Sequence, residues 1–433
     1  MLDTQYPHLV DGLAVRLSHE ACHLRNLSAP GDLVKLGGSA WLFLQELTGS
    51  RTVADIAADL AARHGLEPGM IRADLGELLE QLGARGLATA SDVPADADRP
   101  YLHVVAPRIR SSLHLDVTHR CNETCIHCLV ARDQAEMPWE AMTGLVAQAA
   151  ALGFTSLSLS GGEPTLHPRF WDLLELARGL GFSFTLFTNG LTLRPVQLAR
   201  LADLRPEQVR ISLYSLDPAV HDGITTIPGS QVRTLACLEA LHARGVKLYV
   251  NCPVMASSFA GFRDVAAWCD ARGIERNLDP VIQPTRDRLE RHDDLQLTYA
   301  QAKEVTGLQQ DAPELVCNVQ PGQPVCNVGE DPSVDPHLDL YPCPGLRVPL
   351  GNLAERSLAE LLVDNPELER VAGLSLEDLP ACQGCPVRDG CYRCHGHAYQ
   401  ETLDPTQCSR LDRRQATIRR ELMVERGTRE PLT

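Results

Sequence analysis

The sequence predicts an α/β protein. A partial (β/α)6 barrel follows a small winged-helix-like α+β domain and precedes a cysteine-rich domain. Three observations carry this. From residue 111 onward, six short apolar runs alternate with segments of helical period. Before residue 92, a loosely alternating stretch broken by Gly and Pro leads into three amphipathic patterns. Beyond residue 310, eight of the chain's 15 cysteines fall between Cys317 and Cys408.

Residues 10 to 36 alternate between apolar and polar side chains, which predicts a β-hairpin. Helical patterns follow at Gly38–Leu47, at Val53–His64 with the stripe Val53, Ile56, Leu60, and at Met70–Gly86. The last carries Ile71, Leu75, Leu78, Leu79 and Leu82 at spacings of three and four, and Gly86 is its stop signal. A hairpin with three helices reads as a winged-helix-like domain over residues 1–92. Residues 93–110 continue the Pro- and Asp-dense stretch Ser-Asp-Val-Pro-Ala-Asp-Ala-Asp-Arg-Pro and read as a linker.

The barrel is expected over residues 111–300. Its strands are Leu113–Thr118, Ser156–Ser160, Ser183–Thr188, Val209–Leu213, Lys247–Pro253 and Arg276–Ile282, with helices such as Trp171–Gly179 and Val232–Arg244 between them. Alternating elements of this kind give a parallel sheet with right-handed crossovers. Six units are too few to close an eight-fold barrel. Chemistry in parallel barrels sits at the C-terminal strand ends. Cys121, Cys125 and Cys128 stand there, just after the first strand.

A Cys-x3-Cys-x2-Cys triad supplies three thiolates and no fourth. A structural zinc site wants four ligands. A cubane iron–sulfur cluster held by three keeps one iron open to a small ligand. The triad resembles the signature of the radical S-adenosylmethionine (SAM) enzymes. In that family the open iron chelates the amino and carboxylate groups of SAM, and reductive cleavage gives a 5′-deoxyadenosyl radical. The second strand ends in Ser160-Gly161-Gly162-Glu163-Pro164. Gly161, Gly162, Glu163 and Pro164 match the family motif that binds the SAM amino group, and two glycines let backbone approach a ligand closely.

Further SAM contacts are implied by the same resemblance. They are Asn189 at the end of strand three, Ser212 on strand four, Asn251 on strand five, and His127 against adenine. Thr225 stands where many relatives have Arg, and offers one neutral hydrogen bond in place of a charged fork.

The C-terminal cysteines resemble the SPASM extension of radical SAM peptide maturases, expected over residues 301–410. By position, Cys317, Cys326, Cys343 and Cys394 would hold the nearer auxiliary cluster, and Cys382, Cys385, Cys391 and Cys408 the farther one. Two departures stand out. The final Cys391-x2-Cys394 spacing is one residue short, and Leu338 replaces a turn glycine. If Cys317 is no ligand, the nearer cluster has an open iron. The resemblance thus implies three [4Fe-4S] clusters and SAM. Of the remaining cysteines, Cys237 and Cys269 sit in apolar helical runs and read as small hydrophobes.

The first domain resembles the leader-peptide-binding module typified by the chaperone of pyrroloquinoline quinone biosynthesis, through Gly38-Ser39-Ala40-Trp41 and Leu47–Ile56. A DNA-binding helix-turn-helix is the competing reading. Asp74, Glu77 and Glu80 on the third helix would repel phosphate, and the net charge of −16 disfavours nucleic acid generally. Arg410, Arg413, Arg414, Arg419 and Arg420, opening a tail over residues 411–433, read as a solvated helical face.

No run of about 20 apolar residues predicts a membrane span, and no signal peptide is expected. Clustered cysteines without an export signal read as metal ligands in a cytoplasmic protein. The expected function is a radical SAM oxidoreductase that modifies a ribosomally made precursor peptide, by oxidative thioether or carbon–carbon cross-linking. Its electron donor would be a flavodoxin or ferredoxin. Alternatives are a maturase that oxidises a residue of a partner enzyme, and a zinc-rich winged-helix regulator.

Overall fold

A computed structural model describes residues 2–17, 21–26, 34–37, 39–94, 102–105, 110–285, 292–309 and 322–427. Cys317 lies outside the described residues. The chain forms two compact units. One comprises Met1–Ser111, Gly144–Ser156 and Leu174–Ser183, and the other the remainder.

In the first unit, β1 (Tyr6–Leu9) pairs antiparallel with β5 (Ala88–Ser91). The expected hairpin is β2 (Leu13–Leu17) and β3 (Ala21–Asn26), extended by β4 (Val34–Gly37), all antiparallel. A strand also forms inside the segment read as a linker: β6 (Leu102–Val105) pairs parallel with β2. The helices are Ala40–Leu44, Val53–His64 and Pro68–Ala84. The second starts on a capping box, where Thr52 Oγ1 accepts the Asp55 N–H at 3.2 Å and Asp55 Oδ2 accepts the Thr52 N–H at 3.3 Å. Its stripe Val53, Ile56, Leu60 packs with Ile71, Leu75 and Leu82 of the third helix, and with Leu9, Leu13 and Leu24 of the strands, in one core. Arg16 on β2 is buried. Its Nε donates to the Phe154 carbonyl at 3.1 Å and its Nη2 to the Leu180 carbonyl at 2.8 Å, both within this unit.

Six strands follow in chain order: β7 (Arg110–Thr118), β8 (Phe154–Gly161), β9 (Ser183–Thr188), β10 (Gln208–Ser212), β11 (Leu248–Pro253) and β12 (Glu275–Asp279). Each lies beside its neighbours in sequence, as successive βα units require, and β9/β10, β10/β11 and β11/β12 are parallel. On β10, Val209 and Ile211 are fully buried while Arg210 and Ser212 are half-buried. Side chains alternate across a strand, so the second pair shares one face. Three short strands extend the sheet beyond β7. β13 (Ser333–Val334) pairs parallel with β7, then β14 (Asp339–Tyr341) and β15 (Gly351–Asn352) pair antiparallel. The cysteine-rich region therefore continues the barrel's own sheet.

The Arg-rich segment corrects an expectation. The helix Arg410–Glu425 buries Leu411, Ala416, Ile418 and Met423. Four of its five arginines are held by the protein itself, and Arg413 stays exposed. Arg410 pairs with Asp293 at 2.8 Å, Arg420 pairs with Asp389, Arg414 donates to the Leu297 carbonyl at 2.6 Å, and Arg419 lies over the Tyr392 ring. The apolar stripe docks the helix, and the long side chains reach across to neighbouring acceptors. No described helix is long and apolar enough to cross a membrane.

Candidate active site

The loop after β7 brings Cys121, Cys125 and Cys128 to the wall of a cavity of about 320 Å³. The far walls are the C-terminal ends of the next five strands, as the barrel rule requires. Backbone bonds hold the loop down. Thr124 and Ile126 N–H groups donate to the carbonyls of Thr225 and Ile224 at 3.2 and 3.0 Å. From the side, Asn189 Nδ2 donates to Asn122 Oδ1 at 2.7 Å.

Gly161 and Gly162 line the cavity, and the structure adds a second reason for them. A Cβ on Gly161, whose φ is +127°, would stand 2.2 Å from the Thr118 carbonyl oxygen, and one on Gly162 would stand 2.4 Å from that of Arg120. The glycines admit the triad loop's backbone, with Gly162 N–H donating to Thr118 O at 2.7 Å and Glu163 N–H to Arg120 O at 2.8 Å.

Glu163 is fully buried and is not among the residues that line the cavity. Its Oε1 accepts from Thr165 Oγ1 at 2.5 Å and Thr188 Oγ1 at 2.8 Å, and its Oε2 accepts the Asn189 N–H at 2.8 Å. The carboxylate braces the ends of β8 and β9, and burial pushes its pKa up. Pro164 is buried beside it and opens a short 3-10 turn. Thr225 does not line the cavity either. It is fully buried, its hydroxyl bonded to Ser230 Oγ at 2.7 Å, and its contribution is the backbone carbonyl that anchors the triad loop. A short β-branched side chain packs inward where an Arg would extend. Asn189, Ser212, Asn251 and His127 do line the cavity. His127 meets Tyr214 edge-on at 5.0 Å, and burial lowers its pKa to about 4.

Several cavity residues escaped the sequence reading. Tyr214 is buried with its hydroxyl 3.9 Å from Cys125 Sγ. Arg210 lies over the rings of Phe187 and Tyr249, at 5.4 and 4.3 Å. Glu123 accepts from the Cys125 thiol at 3.3 Å, and burial pushes its carboxyl up to about 7. Asp279 ends β12. The available signal was alternation, since Arg210 with Ser212 and Tyr249 with Asn251 stand two apart on strands that face the same cavity.

The donor set fits a cluster better than a single ion. Burial pushes the Cys121 thiol up to about 12 and Cys125 higher still, so these thiols ionise only against a metal. Among the described residues, the one group of three His, Cys, Asp or Glu ligand atoms within 4.8 Å of one another is His119, Asp133 and His337, which contains no cysteine. The triad sulfurs fall outside that spacing, as suits three thiolates that would each hold a separate iron of a cubane.

The C-terminal thiols gather in two places. Cys382, Cys385, Cys391 and Cys408 line one small pocket. Cys326 and Cys343 border a common core of Val328, Leu346, Val348 and Val371. Burial raises both thiols, and nearby Cys394 adds to each shift. Burial also pushes Cys394 up, but hydrogen bonding and charge from His397 more than offset it, leaving that thiol low. Leu338 takes the φ of +67° that a turn glycine would take.

Residues 115–267 match the radical SAM superfamily, and residues 14–88 match coenzyme PQQ synthesis protein D (PqqD). The chain is a radical SAM enzyme with a PqqD-like domain. Radical SAM enzymes use SAM and a four-iron–four-sulfur cluster. The "PqqA peptide cyclase" of Xanthomonas axonopodis pv. citri (strain 306) is 29% identical over 330 residues, covering 69% of this chain and 87% of that protein. Among solved structures, Streptococcus suis SuiB bound to precursor peptide SuiA has a TM-score of 0.61 at 14% identity, over 93% of this chain and 98% of that one. Native anSMEcpe with bound AdoMet and Cp18Cys peptide has a TM-score of 0.56 at 17% identity, over 73% and 97%. These two share the radical SAM fold with this chain.

Proposed function

We propose that this radical SAM enzyme modifies a ribosomally made precursor peptide, forming an oxidative thioether or carbon–carbon cross-link. The observation that carries the reading is one chain joining a PqqD-like domain to the cysteine cavity. Curated relatives named for cyclising a peptide and a like-folded protein solved with its precursor peptide support it. The leader would add as a strand to a sheet edge of the first domain, where main-chain bonds give affinity. Tethering would then raise the concentration of the core peptide at the barrel mouth.

When bound, the cluster and SAM supply a 5′-deoxyadenosyl radical that removes a hydrogen atom from the substrate. Cys121, Cys125 and Cys128 would hold the cluster. Gly161, Gly162, Asn189, Ser212, Asn251 and His127 would hold SAM, with Glu163 and Thr225 keeping the walls in place. The cavity orients one C–H bond and excludes water. The grouping of Cys382, Cys385, Cys391 and Cys408, and of Cys326, Cys343 and Cys394, supports two auxiliary clusters as electron acceptors. A flavodoxin or ferredoxin would supply the starting electron. Residence in the cytoplasm agrees with the free state of all 14 described cysteines.

The test uses the full chain with the synthetic peptide encoded beside its gene, with and without the leader. The expected product is the full-length peptide lighter by two hydrogens, with the leaderless core modified far more slowly. Equal rates on both would remove the recruitment role, and no mass change on either would remove the peptide.

A further inference from the structure

Asp279 is the last residue of β12, at the C-terminal end of the sixth barrel strand, and lines the same cavity as the cysteine triad. Its Oδ1 accepts the Val281 N–H at 2.9 Å. Among the described residues no Lys, Arg or His pairs with it. Arg210, the cation on the same cavity wall, is occupied elsewhere, donating to Gln208 Oε1 at 2.8 Å and lying over two aromatic rings. The cavity's other carboxylate, Glu123, belongs to the triad loop itself, between Cys121 and Cys125, with its Oε2 3.3 Å from Cys125 Sγ. Asp279 is half-buried, and a carboxylate partly withdrawn from water with no described cation beside it costs stability. Such a group facing a cavity marks a functional site on physical grounds. Burial pushes the Asp279 carboxyl up, and the Val281 N–H and the more distant charges of His397 and Arg419 pull it partly back. Once ionised it is a stronger base than an exposed aspartate.

Cross-linking requires such a base. Joining a C–H carbon to an X–H partner, where X is sulfur or carbon, removes two hydrogens. One leaves as an atom to the deoxyadenosyl radical. The substrate radical then bonds to X. To become closed-shell, that species must lose one electron and one proton. On the reading above, the electron would pass to an iron–sulfur cluster held by the cysteines of the cysteine-rich domain. We propose that Asp279 takes the proton, which makes it the catalytic base of peptide modification. This rests on the peptide reading above.

The experiment compares wild type, D279N and D279E as reconstituted full-length holoenzymes. Each receives SAM, dithionite and the synthetic precursor peptide encoded beside the gene. The readout is 5′-deoxyadenosine released per peptide modified. The expected result is a rise of at least tenfold in D279N, substantially recovered in D279E. A second readout needs no turnover. Asn keeps the acceptor for Val281 and removes a charge that no described cation pairs, so D279N should melt higher than wild type. An unchanged ratio overturns the proposal. An unchanged ratio with a raised KM for SAM overturns it by making Asp279 a cofactor contact. A lower melting temperature with both activities reduced overturns it in favour of a structural role. Wild type that leaves the peptide unmodified overturns the peptide reading first, and this inference with it.

Discussion

The backbone N–H of Asn189 donates to a carboxylate oxygen of Glu163 at 2.8 Å, deep between the ends of β8 and β9. The same asparagine reaches the triad loop through Asn122. A motif residue expected to face SAM thus fixes the scaffold that carries the cysteines. Glu163→Ala would strand the Asn189 and Thr165 N–H groups and the Thr188 hydroxyl, while the Thr165 hydroxyl keeps Thr192. We expect a loss of roughly 3 kcal/mol, because each buried donor left unmade costs about 1–3 kcal/mol. Urea unfolding measures it. Wild-type stability with a raised KM for SAM would show that Glu163 faces the cavity.

Much of this was legible in the sequence. The triad, the Gly-Gly-Glu-Pro turn and the six βα units announce themselves because each depends on local spacing or period. The strand Ser183–Thr188 falls where the pattern placed it. What escaped depends on three-dimensional closure. Glu163 could turn inward only because Thr188 and Asn189, 25 and 26 residues on, arrive beside it. Thr225 was placed by its position in a motif, and its burial follows from the packing of the following helix. Strand β6 is too short to rise above a Pro-rich background. Asp279 carries no motif at all.

Gly396 and Gly76 should respond in opposite ways to the same substitution. A Cβ on Gly396 would sit 2.4 Å from the Gly345 carbonyl oxygen, backbone against backbone, between the segments that bear Cys394 and Cys343. Gly396→Ala should destabilise by about 1–3 kcal/mol, the usual range for overpacking, and lower iron content. Gly76, within the helix Pro68–Ala84, has nothing within 4 Å. Gly76→Ala should stabilise by about 0.5–1 kcal/mol. Calorimetry with iron analysis checks both, and equal effects would contradict the close approach.

His337 Nε2 and His119 Nδ1 bond the two carboxylate oxygens of Asp133 at 2.7 and 2.6 Å. The Asp133 hydrogen bond raises the His337 pKa above 6.5. That contribution is full below pH 6.5 and fades as pH rises through the raised value. Burial pushes Asp133 up, but bonding from His337 and its neighbours outweighs this and holds its pKa below 3.8. That contribution is present above pH 3.8 and lost as pH falls through the depressed value. The melting difference between wild type and His337→Ala should therefore be greatest near pH 4 to 6 and shrink on either side. A pH-independent difference would mean the bonds are not made.

The double variant Cys385→Ala, Cys391→Ala opens one ligand set while leaving the triad intact. About four irons should be lost, one cubane's worth, while the Cys121, Cys125, Cys128 cluster stays visible by electron paramagnetic resonance. Cross-linked product should fall at least tenfold. Unchanged iron would mean that these cysteines hold no cluster.

The most direct test follows a hydrogen atom. Precursor peptide made with deuterium on carbon is incubated with reconstituted enzyme, SAM and reductant, and the released 5′-deoxyadenosine is weighed by mass spectrometry. A radical SAM peptide maturase must deliver deuterium from the peptide to the nucleoside while the peptide loses two hydrogens. Transfer in wild type, and none in Cys125→Ala, is the expected result. Nucleoside released without deuterium, beside an unaltered peptide of full mass, would contradict the account.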